Sequence, residues 1–361
     1  MDVNAKRYCD IDLYRGIGII CTITAVSGLL SAGLQYRFDA LCFPLFMMAA
    51  GAVWQKKGFS SDEKTCFKEG IRNIFMPYFW FSLLYLVIDA LGMFVSPEIF
   101  GLSRIYNHIW DSVSFVGISV LFFLPAYFVA VVGYRIFRHY FKLPVMCIML
   151  SVVAFSITGI LYYRGYTGLY DANMMVVGFE SYGLRLALLF WRGSVGMFFC
   201  AWGEVFGLIG DKLKEKKLIE VFLSLLFIGG GIGLTFLTER CDYKEMVTGN
   251  PFVVLPMSLC MAGGLLLLCK WIGTVRPLDF LGRHALIIYL SFYGFGILRF
   301  ALMIGDIVFK KTINNFAYRA TVALVILLFE LIVIAVLRFK CFSFLFGGRE
   351  FIEPEIEEDI L

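Results

Sequence analysis

The stretch YRATVALVILLFELIVIAVLR, residues 318–338, decides the fold. Between Thr321 and Leu337 it holds a single ionisable residue, Glu330, and no glycine or proline. A helix rises about 1.5 Å per residue, so about 20 apolar residues cross the roughly 30 Å hydrocarbon core of a bilayer. The run therefore predicts a transmembrane helix. Working outward, nine more stretches read the same way, near 13–34, 38–54, 74–97, 113–134, 143–163, 184–208, 218–237, 252–272 and 279–305. The expected fold class is all-α, a polytopic integral membrane protein of about ten transmembrane helices.

Composition agrees. Over 361 residues 60% are hydrophobic and 17% charged, with a mean hydropathy of +0.81, where soluble domains are about half apolar and a quarter charged. Aromatic residues make up 17%, which suits lipid contact and the interfacial belts of a membrane protein. The formal charge of +4 is small and the basic residues are dispersed, so no nucleic-acid partner is expected. The ten cysteines form no CxxC pair and no Cys/His zinc spacing, so neither a disulfide framework nor a metal site is expected. The first apolar segment is long enough to span and lacks a small-residue cleavage site, which marks it as a retained helix.

Lys and Arg in alternate connecting segments give the orientation. One set comprises Lys6 and Arg7, Lys56 to Arg72, Arg135 to Lys142, Lys212 to Lys217, Lys270 to Arg283, and Arg338 to Arg349, twenty in all. The opposite set, Arg37, Arg104, Arg164, Arg185, Arg240, Lys244, Lys310, Lys311 and Arg319, numbers nine. The basic side is expected in the cytoplasm, with both termini there. Residues 1–349 read as one membrane-embedded domain, and 350–361 as an acidic cytoplasmic tail, solvated and without a core of its own.

Ionisable residues at membrane depth are costly, so they mark sites or structural pairs. Arg15 lies near the cytoplasmic end of the first helix, one turn after Asp12. At 100° per residue, Arg15, Thr22 and Val26 lie within about 40° on one face. That face runs about 16 Å from the rim towards the midplane, so an anion held at Arg15 could extend to the depth of Val26. Arg192, Glu204, Arg299, Glu330 and Asp89 are the other buried candidates, each either half of an ion pair or a substrate contact. His108, His139 and His284 fall at loop ends, and His108 shares its outer segment with Arg104 and Asp111. No GxSxG, HExxH, P-loop or dinucleotide glycine fingerprint occurs.

Four segments, in this order, resemble the acyltransferase-3 family of membrane O-acyltransferases. They are IDLYRGIGIICTITAV (11–26), FPLFMMAAGAVW (43–54), KEGIRNIFMPYFWFSLLY (68–85), and LFFLPAYFVAVVGYRIF (121–137) taken with LDFLGRHALIIYLSF (278–292). The resemblance covers nearly the whole chain. It implies transfer of an acyl group, usually acetyl, from acetyl-CoA as co-substrate to a hydroxyl of a cell-surface polysaccharide or lipid-linked sugar, with no bound cofactor. It also implies a multi-pass protein of the bacterial cytoplasmic membrane. Arg15, Lys68 and Arg72 match the family's basic positions and suit the phosphates of the donor. Asp12, Thr22, Arg192, Arg299 and Glu330 are the expected cavity-lining residues.

The sequence departs from the family at its centre. The family carries a His eleven residues after the first-helix Arg, the proposed general base, and this chain has Val26 there. The late helix usually carries another His after its Tyr-Leu pair, where this chain has Ser291 and Phe292. Valine takes no proton. The readings are therefore an O-acyltransferase with a different base, a catalytically inactive relative acting in glycan or lipid export, or an unrelated small-solute transporter.

Overall fold

The computed structural model describes residues 8–26, 32–58, 62–95, 101–171, 179–238, 241–244, 246, 250–309 and 316–346. Their regular structure is helical throughout. The helices are α1 (Cys9–Val26), α2 (Ala32–Lys57), α3 (Glu63–Gly70), α4 (Met76–Val95), α5 (Leu102–Val113), α6 (Phe123–Tyr140) and α7 (Pro144–Asp171). They continue as α8 (Phe179–Leu213), α9 (Lys217–Thr235), α10 (Pro251–Ile272), α11 (Arg276–Arg283), α12 (Ala285–Gly294), α13 (Ile297–Phe309) and α14 (Phe316–Leu337). The tail at 350–361 lies outside the described residues.

Seven continuous helical segments are long and apolar enough to cross a membrane. They are Glu63–Phe94, Ser119–Tyr140, Pro144–Arg164, Tyr182–Leu213, Lys217–Thr235, Pro251–Ile272 and Ala317–Leu337. Each overlaps one of the stretches expected from sequence, with ends shifted by up to eleven residues at Glu63–Phe94. The expected single span at 279–305 is broken: α11 ends at Arg283, and α12 and α13 meet at 68° around Gly296, whose φ is +71. Gly296 adopts that left-handed backbone without the Cβ penalty other residues incur. α1 falls outside the seven, with Asp10, Asp12 and Arg15 among its 18 residues, and so does α2.

Polarity is arranged as a bilayer requires. On α4, Phe79, Leu83, Val87, Leu91 and Phe94 are exposed, and on α14 so are Leu324, Leu328, Leu331, Ile332 and Val336. α7 and α9 carry similar outward apolar faces. Arg192, Glu204, Ser291 and Glu330 are meanwhile buried. Water would penalise this arrangement and lipid does not.

The centre is built from α1, α2, α6, α8 and α10, packed through glycines. A Cβ on Gly51 would stand 1.8 Å from the Cys200 carbonyl oxygen, and one on Gly203 would stand 2.2 Å from that of Met48. Backbones of α2 and α8 thus touch directly, the close approach that small residues give membrane helices. α3 runs into α4 through a wide turn at Ile71–Phe75, where the Met76 amide donates to the Ile71 carbonyl five residues back. The wide turn falls immediately before Pro77, whose ring would clash with the carbonyl of Asn73 in a regular helix.

α5 was not expected from hydropathy, being short and mixed. Arg104, His108 and Asp111 lie within about 60° on one face, with Leu102, Tyr106, Ile109 and Val113 opposite them and exposed. This is the pattern of a helix lying in a membrane interface.

Candidate functional site

α1 and α11 carry the two ends of the suspected site and lie in backbone contact. A Cβ on Gly16 would stand 2.1 Å from the Leu278 carbonyl oxygen, and one on Gly282 would stand 1.8 Å from that of Asp12. The buried Tyr14 hydroxyl donates to the Ala262 carbonyl at 3.0 Å and fixes the rotation of α1 on α10. Arg15 is consequently held beside α11, about a third exposed, with Nη1 4.0 Å from Asp12 Oδ1. At the same end Lys56 Nζ grips both oxygens of Asp10 at 2.7 and 2.6 Å, 4.9 Å from the Tyr8 ring centroid.

Further along α1, Thr22 is buried and its hydroxyl donates to the Gly18 carbonyl at 2.9 Å, so this proton is committed to the helix itself. Val26 is the last residue of α1, and its side chain lies outside the described residues. Lys68 and Arg72 are exposed on α3 and the wide turn after it, where Arg72 Nε donates to Asn73 Oδ1 at 3.3 Å. α3 packs on α6 while Arg15 stands beside α11. Among the described residues nothing links Arg15 to that pair through a shared contact.

Two further expected lining residues take different roles. Arg192 is buried, with Nη1 donating to the Val116 carbonyl at 3.1 Å and Nη2 to that of Lys244, and its guanidinium carbon lies 5.1 Å from the Phe122 ring centroid. It pins two loops to α8. Arg299 does not line the interior: it is exposed on α13, which the bend at Gly296 turns away from the line of α12.

Glu330 is completely buried, and its Oε2 accepts from Ser291 Oγ at 2.6 Å. Its Oε1 has no partner among the described residues. Ser291 lies within hydrogen-bonding reach of the Ile287 carbonyl as well, at 2.8 Å. Tyr85 donates to the carbonyl of neighbouring Leu290, so α12 is held from both α4 and α14.

Two polar clusters lie at opposite ends of α8. At one end Arg138 Nε and Nη2 clasp Glu204 at 2.9 and 2.7 Å, Tyr134 donates to the same carboxylate, and Lys270 and Gln55 hold Asp211 at 2.7 and 2.8 Å. At the other end Arg185 pairs with Asp111 at 2.5 Å, while Asp89 takes Arg104 at 3.1 Å and His108 Nδ1. Arg185 and Asp211 are about 39 Å apart along the helix, enough to include a hydrocarbon core. The partners of Asp89 and Glu204 sit on other helices, 15 to 70 positions away, so no local sequence pattern pairs them. The one local signal was the Tyr134, Arg138 spacing of one helical turn.

Among the described residues no group of three metal-ligating side chains comes together. Comparison with protein-family models, with curated proteins and with solved structures gives no match.

Proposed function

We propose that this chain is an acyltransferase of the cytoplasmic membrane of a bacterium, moving an acetyl group from acetyl-CoA to a hydroxyl of an envelope polysaccharide or lipid-linked sugar. The observation that carries the reading is the contact of α1 with α11. It joins two of the segments on which the family resemblance rests, IDLYRG and LDFLGRH, through Gly16 and Gly282, and leaves Arg15 beside that seam with about a third of its side chain exposed. An Arg at the mouth of a helical bundle suits bidentate contact with a phosphate. Lys68 and Arg72, exposed and basic, supply further charge for the nucleotide end of the donor.

The reading includes ten spans with both termini in the cytoplasm. The reading takes the seven apolar segments and the bent pair α12 and α13 as eight spans and adds α1 and α2, which fall outside the seven, as two more. The two charge clusters support alternation: Lys56, Arg135, Arg138 and Lys270 bind Asp10, Glu69, Glu204 and Asp211, all at the expected inner end. Arg104 and Arg185 bind Asp89 and Asp111 at the expected outer end.

Val26 favours a second reading, an inactive relative that exports a glycan or lipid through the same bundle. Ester-linked acetyl on the envelope glycan and lipid of cells with and without the chain separates the two. Loss of acetyl without the chain is expected for the enzyme. Unchanged acetyl on material that no longer reaches the surface contradicts it and supports export.

A further inference from the structure

We propose that Glu330 is the general base of this transfer, with Ser291 as its positioning residue. The proposal rests on the acyltransferase reading above and supplies the proton acceptor that Val26 does not.

The chemistry begins with burial. A carboxyl group removed from water requires partners for both oxygens, and leaving one unmet is costly. Glu330 is fully buried; Oε2 is bound by Ser291 at 2.6 Å, and Oε1 has no partner among the described residues. The unmet oxygen is a buried acceptor, suited to a hydroxyl from outside the chain. Intramembrane carboxyls with an open valence of this kind mark substrate or proton sites.

Ser291 accommodates both protonation states of its neighbour. With Glu330 ionised, the serine proton points to Oε2. With the proton on Oε1, Oε2 remains an acceptor and the serine keeps its hydrogen bond, so the carboxyl is held in one orientation through both states. A group that must gain and lose a proton in each cycle needs such a neighbour.

Depth fits as well. Glu330 lies about 10 Å along α14 from Leu337, and Ser291 about 9 Å along α12 from Ala285. In the proposed topology both ends are cytoplasmic, and α11, which touches Gly16 beside Arg15, leads directly into α12. A donor whose phosphates rest near Arg15 would extend its thioester inward along α12 to this depth.

The step balances without a further reactant. The acceptor hydroxyl gives its proton to Glu330 Oε1 while its oxygen attacks the thioester carbonyl carbon. A carbon–oxygen bond forms and the carbon–sulfur bond breaks. The departing CoA thiolate takes the proton from Glu330, which returns to its carboxylate.

The test uses inside-out membrane vesicles containing the full chain, supplied with labelled acetyl-CoA, with label followed into the envelope glycan and lipid. CoA-induced thermal stabilisation of the purified protein is measured in parallel. Glu330→Gln should lower transfer by about 10²–10⁴-fold, the usual contribution of a positioned base, while the CoA effect equals that of the wild type. Ser291→Ala should lower transfer less, and it serves as the decisive variant should Glu330→Gln fail to fold. Transfer within about twofold of wild type in folded Glu330→Gln or Ser291→Ala overturns the assignment and leaves the acyltransferase reading standing. Wild-type protein that neither transfers label nor responds to CoA removes that reading, and the base assignment with it.

Discussion

Gly282 on α11 lies against the Asp12 carbonyl on α1 so closely that a Cβ would come within 1.8 Å of that oxygen. The two helices therefore share a seam that admits no side chain. Both glycines of the seam stand beside charged residues, Gly16 after Arg15 and Gly282 before Arg283, so close packing and cation placement are coupled there.

That coupling gives a stability prediction. Gly282→Ala must push backbone away from backbone, and overpacking of this kind costs about 1–3 kcal/mol. Gly229→Ala, on α9 with open space around its Cβ position, should be neutral or should stabilise by up to about 1 kcal/mol through helix propensity. Thermal unfolding in one detergent compares them; equal effects would contradict the seam.

The Glu204 carboxylate on α8 accepts three hydrogen bonds from α6, one from Tyr134 and two from Nε and Nη2 of Arg138. Removing one side of a buried pair strands the other and costs about 3–5 kcal/mol. Glu204→Gln should therefore unfold earlier than wild type, and Arg138→Met combined with Glu204→Leu should recover part of the loss. A double variant no better than the single would show that the pair is dispensable.

Lipid contact on α7 is tested by Val153→Lys. Val153 is 53% exposed near the middle of the helix. In water such a change is close to neutral, whereas a lysine at the centre of a span costs about 2.5–3.5 kcal/mol in insertion. Membrane insertion of the variant is expected to fall, and unchanged insertion would remove α7 from the bilayer.

For α5, single spin labels at Ile109 and Val113 should report collisions with lipid-soluble oxygen at interfacial depth. Labels at Arg104 should report little, because that face is turned towards Asp89. Equal water accessibility on both faces would contradict the interfacial assignment.

Much of this bundle is legible in the sequence because one physical quantity, the length of an apolar run, governs it. The run around Glu330 and six others return as continuous helical segments. The run at 279–305 misled because hydropathy does not register a backbone turn; the signal was Gly296 in YGFGI, two residues after another glycine. α5 escapes hydropathy for the opposite reason, since it is amphipathic and, at 12 residues, too short to span. At the site, Arg15 and Glu330 could be identified as costly at depth. Asp12, one turn before Arg15, was legible as its partner, whereas Ser291, 39 positions from Glu330, and the packing of Leu278 on Gly16 were not. Arg299 reads identically to Arg192 in sequence, but it lies on the face of α13 opposite the buried Ile297, Ala301 and Gly305 and is exposed.

Sidedness tests the central claim most directly. Acetyl-CoA is added to sealed vesicles of each orientation made from the same membranes, and release of free CoA thiol is followed in time. Release in inside-out vesicles, absent from right-side-out vesicles and lost in Arg15→Ala, is the predicted result. Equal release in both orientations, or none in either, would contradict a cytoplasmic donor site at the seam of α1 and α11.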